Sequence, residues 1–171
     1  LTAVLTKHLD NLPDGGRGIG LLLVDIDFFK QINDDFGHAA GDELLTAFAG
    51  RLQTSTRSCD LAARWGGEEF VILLASVSGS DVVERRAEQI RASIANEPFR
   101  INGALVTVQV SVGAVFADHS AHDPSQLLQA VDEALYAAKR AGRNQVALSL
   151  DGSDRAEATL PGERPSAIES S

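Results

Sequence analysis

The chain has no methionine and a single cysteine, Cys59. One thiol cannot form an intrachain disulfide, so the fold must rest on its packed core, as is usual in a reducing cytosol. No run of about 18 apolar residues occurs, so no segment reads as a membrane-spanning helix. No signal-peptide pattern opens the sequence. Positive charge is also scarce. Fifteen Lys and Arg face 24 Asp and Glu, a formal net charge of −9, which argues against a nucleic-acid polymer as partner. A small anionic ligand stays compatible, because a bound metal and a few local cations override the global sign. The chain starts at Leu1, and with no Met anywhere it reads as a piece of a longer protein. A cytoplasmic location is expected, with membrane anchoring of the full-length protein left open.

What is present suits one domain with a real core: 171 residues, 44% hydrophobic and 23% charged. Val4, Leu5, Leu9 and Leu12 have helical spacing, and Pro13-Asp14-Gly15-Gly16 stops that helix. Ile19 to Asp25 reads as a buried strand. Phe28 to Phe36 is a helix ended by Gly37, and a second helix runs from His38 to about Thr56. A hairpin spans Asp60 to about Ala75. Asp81 is expected to cap a helix reaching Asn96. Phe99 to Ile101 and Leu105 to Phe116 read as two strands around the Asn102-Gly103 turn. Pro124 opens a helix that ends at Gly142, and Val146 to Leu150 is a last strand. The polar stretch from Asp151 to Ser171 reads as disordered. This order predicts an α/β (α+β) domain in which helices pack on one mixed sheet. The expected units are 1–16 (a helix and turn), 17–150 (the domain) and 151–171 (a tail).

Chemistry concentrates in two stretches. In Arg64-Trp65-Gly66-Gly67-Glu68-Glu69-Phe70, adjacent carboxylates sit at the tip of an apolar hairpin. Strand alternation points Glu68 and Glu69 apart, so one of them can face a shared site. A solvated acidic turn is the plainer reading. The second stretch is Leu21 to Val24 followed by Asp25-Ile26-Asp27. Acids at the end of a buried strand are unfavourable unless paired or bound to a cation. If the two strands meet, Asp25, Glu68 and a backbone carbonyl form a hard-oxygen set suited to Mg²⁺. Directly after Asp27, the N–H groups of Phe28, Phe29 and Lys30 open a helix, a natural phosphate cradle.

These pieces resemble the GGDEF family of diguanylate cyclases. The resemblance covers about residues 18–148 and rests on Asp25 to Lys30, Asn33-Asp34, Phe36-Gly37-His38, Gly41-Asp42, Arg64 to Phe70, Asp132 to Tyr136, Lys139 and Gly142-Arg143-Asn144. It implies a palm-like fold of nucleotidyl-cyclase type with a central, mostly antiparallel sheet of about five strands. It implies that two GTP are joined into cyclic di-GMP with release of two pyrophosphates. Mg²⁺ (or Mn²⁺) is then held by Asp25, Glu68 and the Ile26 carbonyl, and Glu68 is also the proton acceptor. Asn33 and Asp42 hydrogen-bond guanine, with His38 in the same loop. Phe28, Phe29 and Lys30 hold phosphates.

Lys139 and Arg143 hold the terminal phosphates in that scheme, although cations at a helix C-terminus also simply favour the dipole. Arg57 and Asp60 form an R-x-x-D where the family carries an inhibitory product site. The family's second inhibitory arginine aligns with Gln89, with Arg86 and Arg91 nearby. The resemblance further implies an active homodimer of half-sites and a regulatory neighbour outside this chain. A catalytically silent GTP or cyclic di-GMP sensor is the alternative, and a purely structural dimerisation module would leave the strand-end acids unexplained.

Overall fold

The structure is a computed structural model that describes residues 1–12, 17–118 and 123–149. The expected turn at 13–16 and the tail at 151–171 lie outside the described residues. The elements are α1 (Thr2–Asp10), β1 (Gly18–Ile26), α2 (Phe29–Phe36), α3 (His38–Ser55), β2 (Leu61–Gly66) and β3 (Glu69–Val77). They continue as α4 (Ser80–Asn96), β4 (Phe99–Ile101), β5 (Ala104–Val106), β6 (Val110–Ala117), α5 (Pro124–Arg140) and β7 (Val146–Ser149).

β1 is the hub. It lies in the middle of a five-stranded sheet of order β2-β3-β1-β6-β7, antiparallel to β3 and β6, while β7 runs parallel to β6. Its whole length is buried because helices cover both faces of the sheet. Leu22, Val24 and Ile26 join Leu44 and Phe48 of α3 and Val83 and Ile90 of α4. Ile19, Leu21 and Leu23 meet Leu5 of α1 and Leu127, Val131 and Leu135 of α5. Each such side chain adds about 1.5–3 kcal/mol of burial free energy. The same alternation puts Asp25 on the α5 face.

The structure departs from the sequence reading in four places. The expected single sheet is two: β4 and β5 form a separate ribbon. Phe99 and Ile101 are buried in the core on the α3 side, where the Phe99 ring lies 6.1 Å from Phe48, so the ribbon is held by packing. The expected strand from Leu105 to Phe116 is interrupted at 107–109. Val108 stays buried there, so alternation survives the break. Asp81 is not a cap: α4 starts at Ser80 after Gly79, and Asp81 pairs with Arg85 at 3.6 Å within its own helix. Finally, α5 ends at Arg140, short of Gly142. Gly142, Arg143 and Asn144 follow with φ of 119°, 64° and 46°, a left-handed turn that sends the chain into β7.

Candidate active site

The site forms where β1 ends. Asp25 is 6% exposed, and its cross-strand partner on β3 is Glu69. Residues opposite each other on antiparallel strands share a face, so these two carboxylates lie side by side. Glu68 occupies the turn before β3, and its carbonyl accepts the Ile26 N–H at 3.4 Å. Asp25 and Glu68 do come close enough to repel. The sequence reading missed Glu69 as a companion of Asp25. The register pairs Glu69 with Asp25, and Glu68 also lies near enough to raise the Asp25 carboxyl.

Burial pushes the Asp25 carboxyl up, and the negative charges of Glu68 and Asp27 add to that, while the Lys139 ammonium opposes it. Burial raises Glu69 as well, with Asp25 the next largest cause. Lys139 Nζ lies 2.8 Å from Asp25 Oδ2. This cation therefore sits on the strand-end acid from the α5 side. Tyr136, Asp132 and Glu69 line a small cavity of about 140 Å³ beside it.

The chain leaves β1 through Asp27 and Phe28. Phe28 is left-handed, with φ 59° and ψ 28°, immediately before α2. A bulky residue in that region is strained by about 1–2 kcal/mol. The first turn of α2 follows this kink directly after β1, and its Phe29 and Lys30 N–H groups have no intrahelical acceptor. Phe28 and Lys30 are exposed and Phe29 is half-buried. Arg143 was expected four residues along the same helix from Lys139. It lies instead in the left-handed turn after α5, with its guanidinium 4.9 Å from the Phe28 ring centroid and Nε 4.0 Å from Asp27 Oδ1.

A second lobe lies between α2 and α3. Gly37, at φ 87°, ends one helix and starts the other: its N–H bonds the Asn33 carbonyl at 2.8 Å, and its own carbonyl accepts from Ala40 at 3.1 Å. The Asn33 side chain lies directly over Gly41. Asp42, the next residue, is exposed in the second turn of α3, with no hydrogen bond or ion pair to its carboxylate among the described residues. A helix-start role for Asp42 is therefore weak. His38 is exposed in the first turn of α3.

Comparison with known proteins matches residues 1–145 to the family model described as "Diguanylate cyclase, GGDEF domain". The chain belongs to the GGDEF domain family. It is 41% identical over 148 residues to the response regulator PleD of Caulobacter vibrioides, covering 83% of this chain and 32% of that protein. The domain thus spans about a third of the length of that curated relative. The GGDEF domain of YfiN (TpbB) from Pseudomonas aeruginosa superposes with a TM-score of 0.81 at 36% identity, covering 86% of this chain and 92% of that one. An active GGEEF domain of a diguanylate cyclase from Vibrio cholerae gives 0.78 at 32% identity, covering 89% and 96%. These neighbours bear out the expected fold, a mostly antiparallel five-stranded sheet flanked by helices.

The donor set of this GGDEF domain fits a hard divalent cation. Asp25 and Glu69 pair across the strands, Glu68 is near enough to repel both, one ammonium faces Asp25, and burial has already raised Asp25 and Glu69. That excess of negative charge is what a cation relieves. Among the described residues no three acidic, imidazole or thiol groups converge into a ready-made cage. Mg²⁺ suits such a site, since it takes one or two carboxylates and completes its shell with water and substrate phosphates.

The R-x-x-D of this GGDEF domain is tied into the fold. The Asp60 side chain is 2% exposed. It accepts the Arg57 N–H at 3.0 Å and the Ala75 N–H at 3.1 Å, pinning the turn to β3. Arg57 is exposed. Of the arginines on α4, Arg86 is the one that reaches Asp60, at 4.0 Å, and it donates to Gln89 Oε1 at 3.0 Å. Arg91 turns away to Glu88 and to Asn144.

No described helix is long and apolar enough to cross a membrane.

Proposed function

We propose that this GGDEF domain is a diguanylate cyclase that condenses two GTP into cyclic di-GMP as a dimer of half-sites. The observation that carries the reading is the pairing of buried Asp25 with Glu69 at the end of β1, directly ahead of the α2 N-terminus. In this reading Asp25, the Ile26 carbonyl and Glu68 hold Mg²⁺ or Mn²⁺, with Glu69, across from Asp25, adding its negative charge. When bound, that ion neutralises phosphate charge and favours ionisation of the attacking hydroxyl. The first-turn N–H groups of α2, with Lys30, Lys139 and Arg143, hold the phosphate tail. Asn33 and Asp42 take the guanine edge: the carboxylate accepts two N–H groups at once, a pattern adenine lacks. His38 borders the base.

The 3′-oxygen of one GTP attacks the α-phosphorus of the other. A new phosphorus–oxygen bond forms, the bond to the bridging β-phosphate oxygen breaks, and pyrophosphate leaves with that electron pair. The hydroxyl proton passes to the Glu68 carboxylate. A second, symmetric step closes the ring. One protomer has one set of ligands, so two must face each other, and the segment or neighbour that regulates their meeting lies outside this chain. Arg57, with Arg86 as its neighbour from α4, is the proposed product-inhibition contact, and Asp60 orders the loop that carries it.

The direct test is incubation with GTP and Mg²⁺ followed by nucleotide chromatography across a dilution series. Cyclic di-GMP should appear, and the rate per protomer should fall on dilution. A flat rate per protomer removes the two-half-site arrangement. Tight GTP binding without any product points to a sensor instead.

Two further outcomes are expected. A Cβ at Gly41 would collide with Asn33 Oδ1 and lie 3.2 Å from Phe29 Cζ. Gly41→Ala should therefore displace the Asn33 amide, raise the KM for GTP about tenfold, leave kcat nearly unchanged and weaken discrimination against ATP. An unchanged KM would show that Asn33 does not touch the base. The second outcome concerns pH. Protons compete with the cation for the negative charge of Asp25 and Glu69, and both carboxyls are raised. Mg²⁺ affinity should hold steady above their raised pKa values and fall as pH drops through them, beginning above the ordinary carboxylate range. Calorimetric titration of Mg²⁺ at a series of pH values reads this directly. A fall confined to pH near 4, the ordinary carboxylate value, would contradict it.

A further inference from the structure

Asp27 is the second acid of the strand-end pair, and the mechanism above gives it no task. Its side chain is fully buried, yet it touches two separate parts of the chain. Ser111 Oγ of β6 donates to Oδ1 at 2.7 Å. The backbone N–H of Asn144 donates to Oδ2 at 3.0 Å. Arg143 Nε stands 4.0 Å from Oδ1. The Asp27 N–H donates to the Gln109 carbonyl at 2.9 Å, fixing the carboxylate in place. A buried carboxylate is kept only when its oxygens are satisfied; here Ser111 of β6 satisfies Oδ1, and the turn that carries Arg143 satisfies Oδ2.

That turn needs such an anchor. Gly142, Arg143 and Asn144 are all left-handed, a conformation that two non-glycine residues in succession do not hold unaided. We infer that Asp27 is a positioning residue: by bonding the Asn144 N–H it sets the left-handed turn that places Arg143 beside Phe28 at the phosphate cradle. The same short segment thus fixes both walls of the phosphate site, since Asp27 is joined covalently to Phe28 on one side and by hydrogen bond to the Arg143 turn on the other. This inference rests on the proposed phosphate role of Arg143.

The test is a mutant cycle read by binding of 3′-deoxy-GTP, which lacks the attacking hydroxyl, against GMP, both with Mg²⁺. Asp27→Asn keeps the shape but places an amide against a backbone donor. It should weaken 3′-deoxy-GTP about tenfold and leave GMP unchanged, the scale of a lost charged hydrogen bond. Added to Arg143→Ala, it should cause no further loss. Ser111→Ala, a milder change, should give the same pattern at roughly threefold, and serves if Asp27→Asn does not fold. Equal losses for both nucleotides, or additive losses in the Arg143→Ala background, would overturn the inference and leave Asp27 as a purely structural group. If Arg143→Ala itself leaves the preference for the triphosphate intact, the phosphate role of Arg143 fails first, and this inference with it.

Discussion

Asp25→Asn should lower the proposed diguanylate cyclase turnover by roughly a thousandfold, about 4 kcal/mol of transition-state stabilisation, while the domain remains folded. Asp25 is 6% exposed and its carboxyl is raised, chiefly by desolvation and then by its acidic neighbours. A group whose folded pKa lies above its unfolded value binds protons more readily when folded. Its charge then weakens the fold as pH rises from the ordinary value of 3.8 through the raised one, and the loss persists above it. At neutral pH the metal-free domain therefore carries Asp25 at a disadvantage, only partly offset by Lys139 at 2.8 Å. An amide of the same shape removes that disadvantage but supplies no anionic ligand. The thermal midpoint without Mg²⁺ should be unchanged or higher, and the upward shift on adding Mg²⁺ with GTP should vanish. Turnover is followed by chromatography and melting by fluorescence. Activity within tenfold of the parent would remove Asp25 from the cation site. A collapse of the fold would show that its pairing with Lys139 is structural.

How much of this was legible depended on how local the signal was. β1 could be read because Leu21 to Val24 is an uninterrupted apolar run that ends abruptly in acid. The helix ends at Gly37 and the β2–β3 hairpin were legible for the same reason, since a glycine or a short turn fixes them within a few residues. Register was not. Whether Glu68 or Glu69 stands beside Asp25 depends on how β3 slides along β1, and a shift of one residue exchanges the two. Helical spacing placed Arg143 on the Lys139 face, but the helix stops at Arg140 and a left-handed turn resets the direction. Asp81 carried the residue type of a cap, yet Gly79 holds the position. The alternation of Val106, Val108 and Val110 hid the break at 107–109, because burial alone, without ladder pairing, preserves the pattern. Asp27 was visible only as the neighbour of Asp25, since its partners lie 84 and 117 residues away.

Gly113→Ala should be among the most damaging single-methyl additions outside the site, destabilising by about 3 kcal/mol. Gly113 lies in β6, where α5 crosses the sheet. A Cβ there would collide with the Val131 carbonyl and the Leu135 N–H, and would stand 2.9 Å from Leu135 Cα. All three are helix backbone, so no rotamer change relieves the clash. The helix must lift from the sheet, loosening Leu127, Val131 and Leu135 from the core beneath them. Function should suffer beyond the stability loss. α5 carries Lys139 to Asp25 and leads directly into the turn of Arg143, so lifting the helix moves the two cations proposed to hold phosphate away from the end of β1. The expected result is a lower denaturation midpoint, together with at least a tenfold rise in the KM for GTP at temperatures where the variant is still folded. Gly50→Ala is the matched control: a Cβ there meets nothing within 4 Å, and an alanine inside α3 should stabilise by about 0.5–1 kcal/mol. If Gly113→Ala melted like that control, the close seat of α5 on β6 would not be what holds the cations in place, and the site would owe its geometry to the β1–β3 register alone.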